Sequence, residues 1–265
     1  MQKIISNTIA NLILFFLCLL IPISVAQEIL PIKNEASVKI VVEFKDGEGT
    51  SSGFLLQKGE RFFAVMTAHA LHAYENPVKH LRKINIILDS NQIIEVSAEE
   101  YQVRGFCHVE KFHGTYGEYV DTFAIDLTNI ESFIKLRESV AKYFLQYDQL
   151  AGEENINDAS GSKLNVSSIY GGAWANMGQR MPEVINAQNN EKQKLLGFEI
   201  NNCTPEFNQN GGGSGGLITF TRNGAESILG MLLKVNKGNM SVGYAVDSIR
   251  IRETIDGGDN VSGNQ

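Results

Sequence analysis

The sequence predicts a globular protein built mainly of β-strands. Short runs of β-branched and aromatic residues recur along most of the chain, separated by turn-forming Gly, Asn and Asp. Only the stretch 130–147 repeats its apolar residues at helical spacing. With 265 residues and 43% hydrophobic content, the chain can form one large all-β unit or two small domains.

The first half of the chain predicts the strands of one hairpin-built barrel. The run 38–44 partly alternates apolar and polar residues, and the turn-forming residues 46–49 follow it. The further strands predicted in this half are 53–56, 61–66, 84–88, 93–96, 101–106 and 122–127.

The second half predicts a helix followed by another set of strands. The helical stretch 130–147 is expected to cross between the halves, and the polar segment 152–162 is expected to be an exposed loop. The strands predicted after it are 163–170, 184–187, 195–200, 217–220, 228–235 and 242–246. Residues 251–265, rich in Gly, Asn and Asp, predict a loose tail.

Residues 211–217 read Gly-Gly-Gly-Ser-Gly-Gly-Leu. A serine between glycines suits a sharp turn that exposes one hydroxyl and directs backbone N–H groups at one point. A serine nucleophile with an oxyanion hole requires this geometry. A flexible glycine loop between two strands has the same composition, so Ser214 needs support from other parts of the chain.

Two other residues supply that support. His69 ends an apolar run, and Asp121 opens a strand-like run 52 residues later. With Ser214 a further 93 residues on, the chain order is His, Asp, Ser, which is the order of one of the convergent catalytic triads.

Each of these two residues has a rival. His72 is the second candidate for the base, and Asp126 is the second candidate for the acid. Because Asp121 and Asp126 differ by five positions on one predicted strand, their side chains face opposite sides and only one can point at the histidine.

The chain resembles the trypsin-like (chymotrypsin-fold) serine proteases, and among them the bacterial members. The resemblance runs in order from 37 to 250. Its specific pieces are Thr-Ala-His at 67–69, Asp-x-x-Ala-Ile from 121, Gly-x-Ser-Gly-Gly at 212–216 and Gly-Tyr-Ala-Val at 243–246. It implies two Greek-key six-stranded antiparallel β-barrels, one connecting helix and an active site between the barrels, which would span 27–129 and 130–250.

The resemblance also implies a mechanism. Ser214 would attack a peptide carbonyl, His69 would take and return its proton, and Asp121 would hold the imidazole. The N–H groups of Gly212 and Ser214 would form the oxyanion hole. An exported serine endopeptidase is therefore expected, with a catalytically inactive protein-binding scaffold and an esterase as alternatives.

The substrate pocket follows from the same resemblance. Its floor would lie at Asn208 and Gln209, with Val242 and Gly243 in its wall. Since neither floor residue is an anion, cleavage after uncharged residues is expected.

Composition excludes several partners. The net charge is −7 and Lys and Arg do not cluster, so a nucleic-acid partner is not expected. The Cys and His spacing matches no zinc site, and the glycine run lacks the Lys-Ser/Thr of a phosphate loop. The expected partner is a protein or peptide substrate, without metal or organic cofactor, and the sequence does not indicate an oligomeric state.

Residues 1–26 read as a signal peptide. Lys3 precedes an apolar core at 12–25, and Ser-Val-Ala at 24–26 offers a cleavage site before Gln27. The core is shorter than the ~20 residues of a spanning helix, which favours cleavage over the alternative of an uncleaved anchor. A secreted or periplasmic protein without a stable membrane anchor is expected, and in that compartment Cys107 and Cys203 can pair.

Overall fold

A computed structural model of the protein describes residues 36–71, 80–89, 91–109, 119–186, 191–210, 213–222, 224–235, 242–257 and 259–260. The predicted signal peptide and His72 lie outside these residues. In the described part of the chain, no helix is long and apolar enough to cross a membrane.

The N-terminal half forms a half-barrel sheet. Its strands are β1 (Ser37–Phe44), β2 (Glu48–Lys58), β3 (Arg61–Met66), β4 (Leu81–Asp89), β5 (Gln92–Ser97), β6 (Gly105–Val109), β7 (Tyr119–Asp126) and β8 (Phe144–Gln146). One strand from the end of the chain, β15 (Asp259–Asn260), joins this sheet by pairing with β6. Within the described residues the order is β15-β6-β7-β3-β2-β1-β4-β5, and β8 pairs in parallel with β2.

The C-terminal half forms a closed antiparallel barrel. Its strands are β9 (Lys163–Ser168), β10 (Gly171–Asn186), β11 (Glu191–Cys203), β12 (Leu217–Arg222), β13 (Ala225–Val235) and β14 (Val242–Asp247). They close in the order β10-β11-β14-β13-β12-β9. The prediction of an all-β, two-barrel architecture is confirmed, with one barrel fully closed and the other present as a half-barrel.

Alternating side chains build the core of the N-terminal half. In β1, Val38, Ile40, Val42 and Phe44 are buried and point into one cluster, as a period of two requires. Full burial of each such side chain stabilises the fold by about 1.5 to 3 kcal/mol relative to exposure.

A separate apolar cluster joins the two halves. It uses the other faces of β2 and β3, which are therefore buried on both sides. From the N-terminal half it contains Phe54, Leu56, Phe63 and Val65, and from the barrel Leu195, Leu217, Ile228, Met231, Leu233 and Val246. Because this cluster fixes how the halves meet, it also fixes the distance between loops that border the junction.

Helices are few and short. The α-helices of the described residues are Ala98–Arg104, Glu131–Val140, Glu153–Asp158, Pro205–Asn210 and Ser248–Gly257, and the 3-10 helices are Ala68–Leu71, Ala141–Tyr143 and Tyr147–Gln149.

The strand predicted at 101–106 is wrong over most of its length, because Ala98–Arg104 is helical and β6 begins only at Gly105. A capping box starts this helix. Glu100 N–H donates to Ser97 Oγ at 3.2 Å, and Ser97 N–H donates to Glu100 Oε2 at 2.9 Å. The Ser-x-x-Glu spacing was present in the sequence and indicates a helix start.

The crossing between the halves differs from the expected helix 130–147. The helix ends at Val140, and residues 144–146 form β8 beside β2. Phe144 is buried there with its ring edge-on to Phe62 at 5.1 Å between centroids. The expected loop 152–162 contains the helix Glu153–Asp158, which the fully buried Ile156 anchors.

The C-terminal segment also differs from the expected loose tail. Ser248–Gly257 is a helix, and Ile251 and Ile255 bury its apolar face in the cluster between the halves. Asp256 accepts hydrogen bonds from Lys58 and from the Tyr147 hydroxyl. Polar composition predicted disorder here, but two buried isoleucines four residues apart hold the helix in place.

Candidate active site

His69 lies directly after β3, in the 3-10 helix Ala68–Leu71. Asp121 lies in β7, which pairs with β3, and its carboxyl group is buried. The carboxyl group contacts the histidine twice: Oδ2 lies 2.7 Å from Nδ1, and Oδ1 accepts the backbone N–H of His69 at 2.8 Å. Strand pairing thus brings together two of the residues singled out from the sequence.

These two contacts set the tautomer of the imidazole. An ionised Asp121 accepts hydrogen bonds, so the proton of neutral His69 lies on Nδ1 and Nε2 keeps its lone pair. The His69 side chain is 42% exposed. The pair therefore holds a proton acceptor on a partly exposed side chain.

Asp121 also tunes the pKa of His69. Burial disfavours the imidazolium and by itself lowers the pKa, but the hydrogen bond to Asp121 and its negative charge act in the opposite direction. The net effect raises the pKa of His69 above its ordinary value of 6.5.

Asp126, the rival acid, has other partners. Its Oδ2 accepts hydrogen bonds from the Arg61 guanidinium at 2.8 and 3.1 Å, and its Oδ1 accepts the N–H of Thr128 at 3.0 Å. Burial alone raises the pKa of Asp126, but the bonds from Thr128 and Arg61 outweigh it and lower the pKa. Asp126 thus binds Arg61 and Thr128 at the end of β7, and Asp121 is the acid that contacts the histidine.

Ser214 lies in a tight turn before β12. Gly216 N–H donates to the Gly213 carbonyl at 3.2 Å, which makes Ser214 and Gly215 the two central residues of a β-turn. Gly215 has φ of +87°, a value that a type II turn requires at its second central position and that favours glycine. The turn type thus explains the glycine that directly follows the serine.

Contacts on every side leave no space for larger residues in this turn. A Cβ at Gly215 would lie 1.9 Å from the Ser52 carbonyl oxygen, and one at Gly213, where φ is +65°, would lie 2.6 Å from the Tyr170 ring. The turn is therefore held between β2 of one half and the Tyr170 side chain of the other.

The Ser214 hydroxyl forms a hydrogen bond to the backbone and none to His69 among the described residues. It donates to the Leu233 carbonyl of β13 at 2.8 Å. The N–H of Ser214 has no hydrogen-bond acceptor among the described residues. Its second expected partner in an oxyanion hole, Gly212, lies outside the described residues.

The expected pocket residues lie on two elements. Asn208 and Gln209 belong to the Pro205–Asn210 helix, and their side chains lie outside the described residues. Val242 is half-buried at the start of β14, where Gly243 faces Phe198 of β11. A Cβ at Gly243 would lie 2.3 Å from carbons of the Phe198 ring, so an aromatic side chain covers this wall position.

The described ranges hold no group of three or more His, Cys, Asp and Glu side chains that could hold a metal ion. Cys203 is a free thiol among the described residues, and the side chain of Cys107, its expected partner, lies outside them.

Three residues near the turn were not singled out from the sequence. Ser51 and Ser52 of β2 both donate hydrogen bonds to the Ser214 carbonyl, and Thr67 lies 3.4 Å from Ser51. Serine and threonine are ordinary strand residues, and no sequence spacing links them to a turn more than 140 positions away.

Sequence comparison finds no relatives. No family model matches the sequence, and no curated protein is similar to it in sequence.

Comparison of structures is more informative. The chain is similar to the active form of the Rv3671c protease from M. tuberculosis, with 10% identity and a TM-score of 0.50 over 86% of this chain and 83% of that chain. It is also similar to the tobacco vein mottling virus protease (11% identity, TM-score 0.48, 87% and 85% covered). A third similar structure is the HtrA-type protease AlgW with a tripeptide (11% identity, TM-score 0.47, 88% and 62% covered). At such low identity the first likeness shows the fold alone, and that fold is the two-barrel fold of the chymotrypsin-like proteases.

Proposed function

We propose that this protein is an exported serine endopeptidase in which Ser214 is the nucleophile, His69 the base and Asp121 the residue that orients the base. The observation that carries the proposal is the double contact of Asp121 with His69, at 2.7 Å to Nδ1 and 2.8 Å to the backbone N–H. This contact leaves Nε2 unprotonated on a partly exposed side chain, as a general base requires.

The reaction proceeds in two halves. Ser214 Oγ forms a bond to the peptide carbonyl carbon while its proton passes to His69 Nε2. The tetrahedral intermediate then expels the amine, which leaves with that proton. Water repeats the sequence on the acyl-enzyme and releases the acid. The N–H groups of Ser214 and Gly212 stabilise the oxyanion, and a donor of this kind contributes about 3 to 4 kcal/mol.

The first step needs a rotation of the Ser214 side chain. Its hydroxyl must leave the Leu233 carbonyl, 2.8 Å away, and turn toward His69 Nε2. A change of χ1 between staggered wells redirects a serine hydroxyl in this way. The same hydrogen bond favours the alternative function, an inactive scaffold that binds a protein partner, in which the hydroxyl stays on Leu233.

A fluorophosphonate probe separates these functions. It should label Ser214 of the purified wild-type protein, because the serine attacks phosphorus and expels fluoride, and Ser214→Ala should not be labelled. Ser160→Ala, at an exposed serine, is the matched control and should label like wild type. Unlabelled, folded wild type would exclude the hydrolase and leave the scaffold.

Peptide substrates then separate an endopeptidase from an esterase. None of the residues proposed for the pocket is a carboxylate, and the Phe198 ring covers Gly243. Cleavage of a peptide library after uncharged residues is therefore expected. Cuts mainly after Arg or Lys would contradict the pocket assignment, and ester hydrolysis without peptide cleavage would favour the esterase.

Export rests on the N-terminal segment of the sequence. Residues 1–26 have the charged start, apolar core and small-residue site of a signal peptide. N-terminal sequencing of the exported protein should therefore begin at Gln27, and a mature chain that begins at Met1 would contradict the proposal.

A further inference from the structure

The carbonyl of Ser214 receives two hydrogen bonds from the opposite half of the molecule. Ser51 Oγ lies 2.9 Å from this oxygen and Ser52 N–H donates to it at 2.8 Å. Both donors belong to β2, and Ser51 is only 3% exposed. The backbone of the proposed nucleophile is thus attached to the sheet that carries the proposed base.

The Ser51 hydroxyl also reaches the histidine segment. Its oxygen lies 3.4 Å from Thr67 Oγ1, and Thr67 is fully buried two residues before His69. A hydroxyl donates one proton and accepts at two lone pairs. Thr67 can therefore donate to Ser51 while Ser51 donates to Ser214, so one hydroxyl joins both segments.

Ser51 has one competing acceptor. The carbonyl of Ser52 also lies 2.9 Å from Ser51 Oγ, so the proton is shared between two carbonyl oxygens. The Ser214 carbonyl still keeps the bond from Ser52 N–H in either arrangement. When its proton lies on the Ser214 carbonyl, Ser51 adds a second bond, and this bond restricts rotation of the turn about the first.

The turn cannot compensate by moving toward Ser51. A Cβ at Gly215 would lie 3.1 Å from Ser51 Oγ and 1.9 Å from the Ser52 carbonyl oxygen. Such close packing means that the distance between turn and strand is set by contact, and the hydrogen bond from Ser51 sets the orientation.

We propose that Ser51 is a positioning residue that holds the Ser214 turn in register with the His69 segment. This inference rests on the proposed function, since it assigns Ser51 a part in the reaction of Ser214. Ser51 touches neither substrate nor a reacting atom and acts only through the backbone of residue 214.

The test compares Ser51→Ala with Ser248→Ala. Ser248 is a matched control because it is fully buried, and its hydroxyl donates to the Ala151 carbonyl at 2.7 Å. Both variants lose one buried hydroxyl and its hydrogen bond to a carbonyl, so comparable decreases of Tm are expected. Two further measurements are made on both variants: fluorophosphonate labelling kinetics and amide hydrogen exchange of the segment 213–216.

Only Ser51→Ala should affect the turn. Its maximal labelling rate should fall roughly tenfold while the probe concentration at half-maximal rate stays unchanged, because misorientation of a reacting group slows the chemical step. Exchange in 213–216 should become faster in Ser51→Ala and stay at the wild-type rate in Ser248→Ala. Wild-type labelling and wild-type exchange in a folded Ser51→Ala would overturn the proposal.

Two other results, an unlabelled wild-type protein and an unfolded Ser51→Ala variant, call for different measurements. If the wild-type protein is not labelled, the proposed function fails, and hydrogen exchange alone decides whether Ser51 orders the turn. If Ser51→Ala does not fold, Thr67→Val removes the second hydroxyl of the network without loss of volume. A roughly threefold slower labelling rate would then support the network, and a wild-type rate would overturn it.

Discussion

The base and the nucleophile of the proposed site are held in different ways. His69 and Asp121 lie on paired strands of the N-terminal half, joined by two direct hydrogen bonds. Ser214 lies in a glycine turn of the other half, and its conformation depends on contacts with Ser51, Ser52 and Tyr170. The first arrangement depends on one carboxyl group, whereas the second depends on how the two halves meet.

This difference separates the expected effects of mutation. A change at Asp121 that preserves shape removes charge from one pair and leaves the packing intact. A change in the glycine turn disturbs packing between the halves. Activity alone should fall in the first case, and activity and stability should fall together in the second.

The largest expected effect is that of Asp121→Asn. The amide keeps the size of the side chain but can donate to Nδ1, which favours the wrong tautomer, and the rate of Ser214 labelling should fall about 10⁴-fold with little change in Tm. Asp126→Asn is the matched control, five residues along the same strand. It loses only the pair with Arg61, whose side chain is 48% exposed, and should cost at most about 1 kcal/mol. Equal labelling of Asp121→Asn and wild type would show that Asp121 does not support the base.

The next effect is that of Gly215→Ala, measured against Gly224→Ala. Both glycines have positive φ, +87° and +79°, so alanine is strained at either position. Only at Gly215 would the new Cβ also collide with a backbone oxygen, since nothing lies within 4 Å of it at Gly224. Chemical denaturation should show a loss of about 1 kcal/mol for Gly224→Ala, and a larger loss together with slower labelling for Gly215→Ala. Equal losses would mean that the turn can shift away from β2.

The smallest effect is a displacement of the pH profile. Asp121 raises the pKa of His69, and a base must be neutral, so kcat/KM should fall as pH decreases through a midpoint above the ordinary value of 6.5. The midpoint of the residual activity of Asp121→Asn should lie lower, because the charge that favours the imidazolium is gone. A profile that stays flat from pH 5 to 9 would exclude His69 as the base.

The same shift has a small effect on stability. Because the folded-state pKa of His69 is raised, its contribution is complete below the unfolded-state pKa and is lost as pH rises through the folded-state pKa. The side chain is 42% exposed, so solvent screens this contribution.

The strands were the most predictable part of the fold. Period-two alternation and β-branched residues located β1, β4 and β12 to within a few residues. The long hairpin β10–β11 was predicted only in fragments, since β10 begins with glycines and carries polar residues that interrupt the pattern. The helix Ala98–Arg104 replaces a predicted strand although its capping box is visible in the sequence, because the aromatic and β-branched residues of this stretch also favour a strand.

The sequence by itself singled out His69, Asp121 and Ser214 as candidates, and it contains the glycines of positive φ beside Ser214, because these features depend on residue type and local backbone conformation. Only the tertiary structure decided that Asp121 rather than Asp126 meets the histidine, and that Ser51 and Thr67 lie beside the Ser214 turn. Such contacts join residues 52 and 163 positions apart, and they arise from strand register and from packing between the halves. A period-two pattern identifies the face on which a side chain lies but does not identify the residue that it meets.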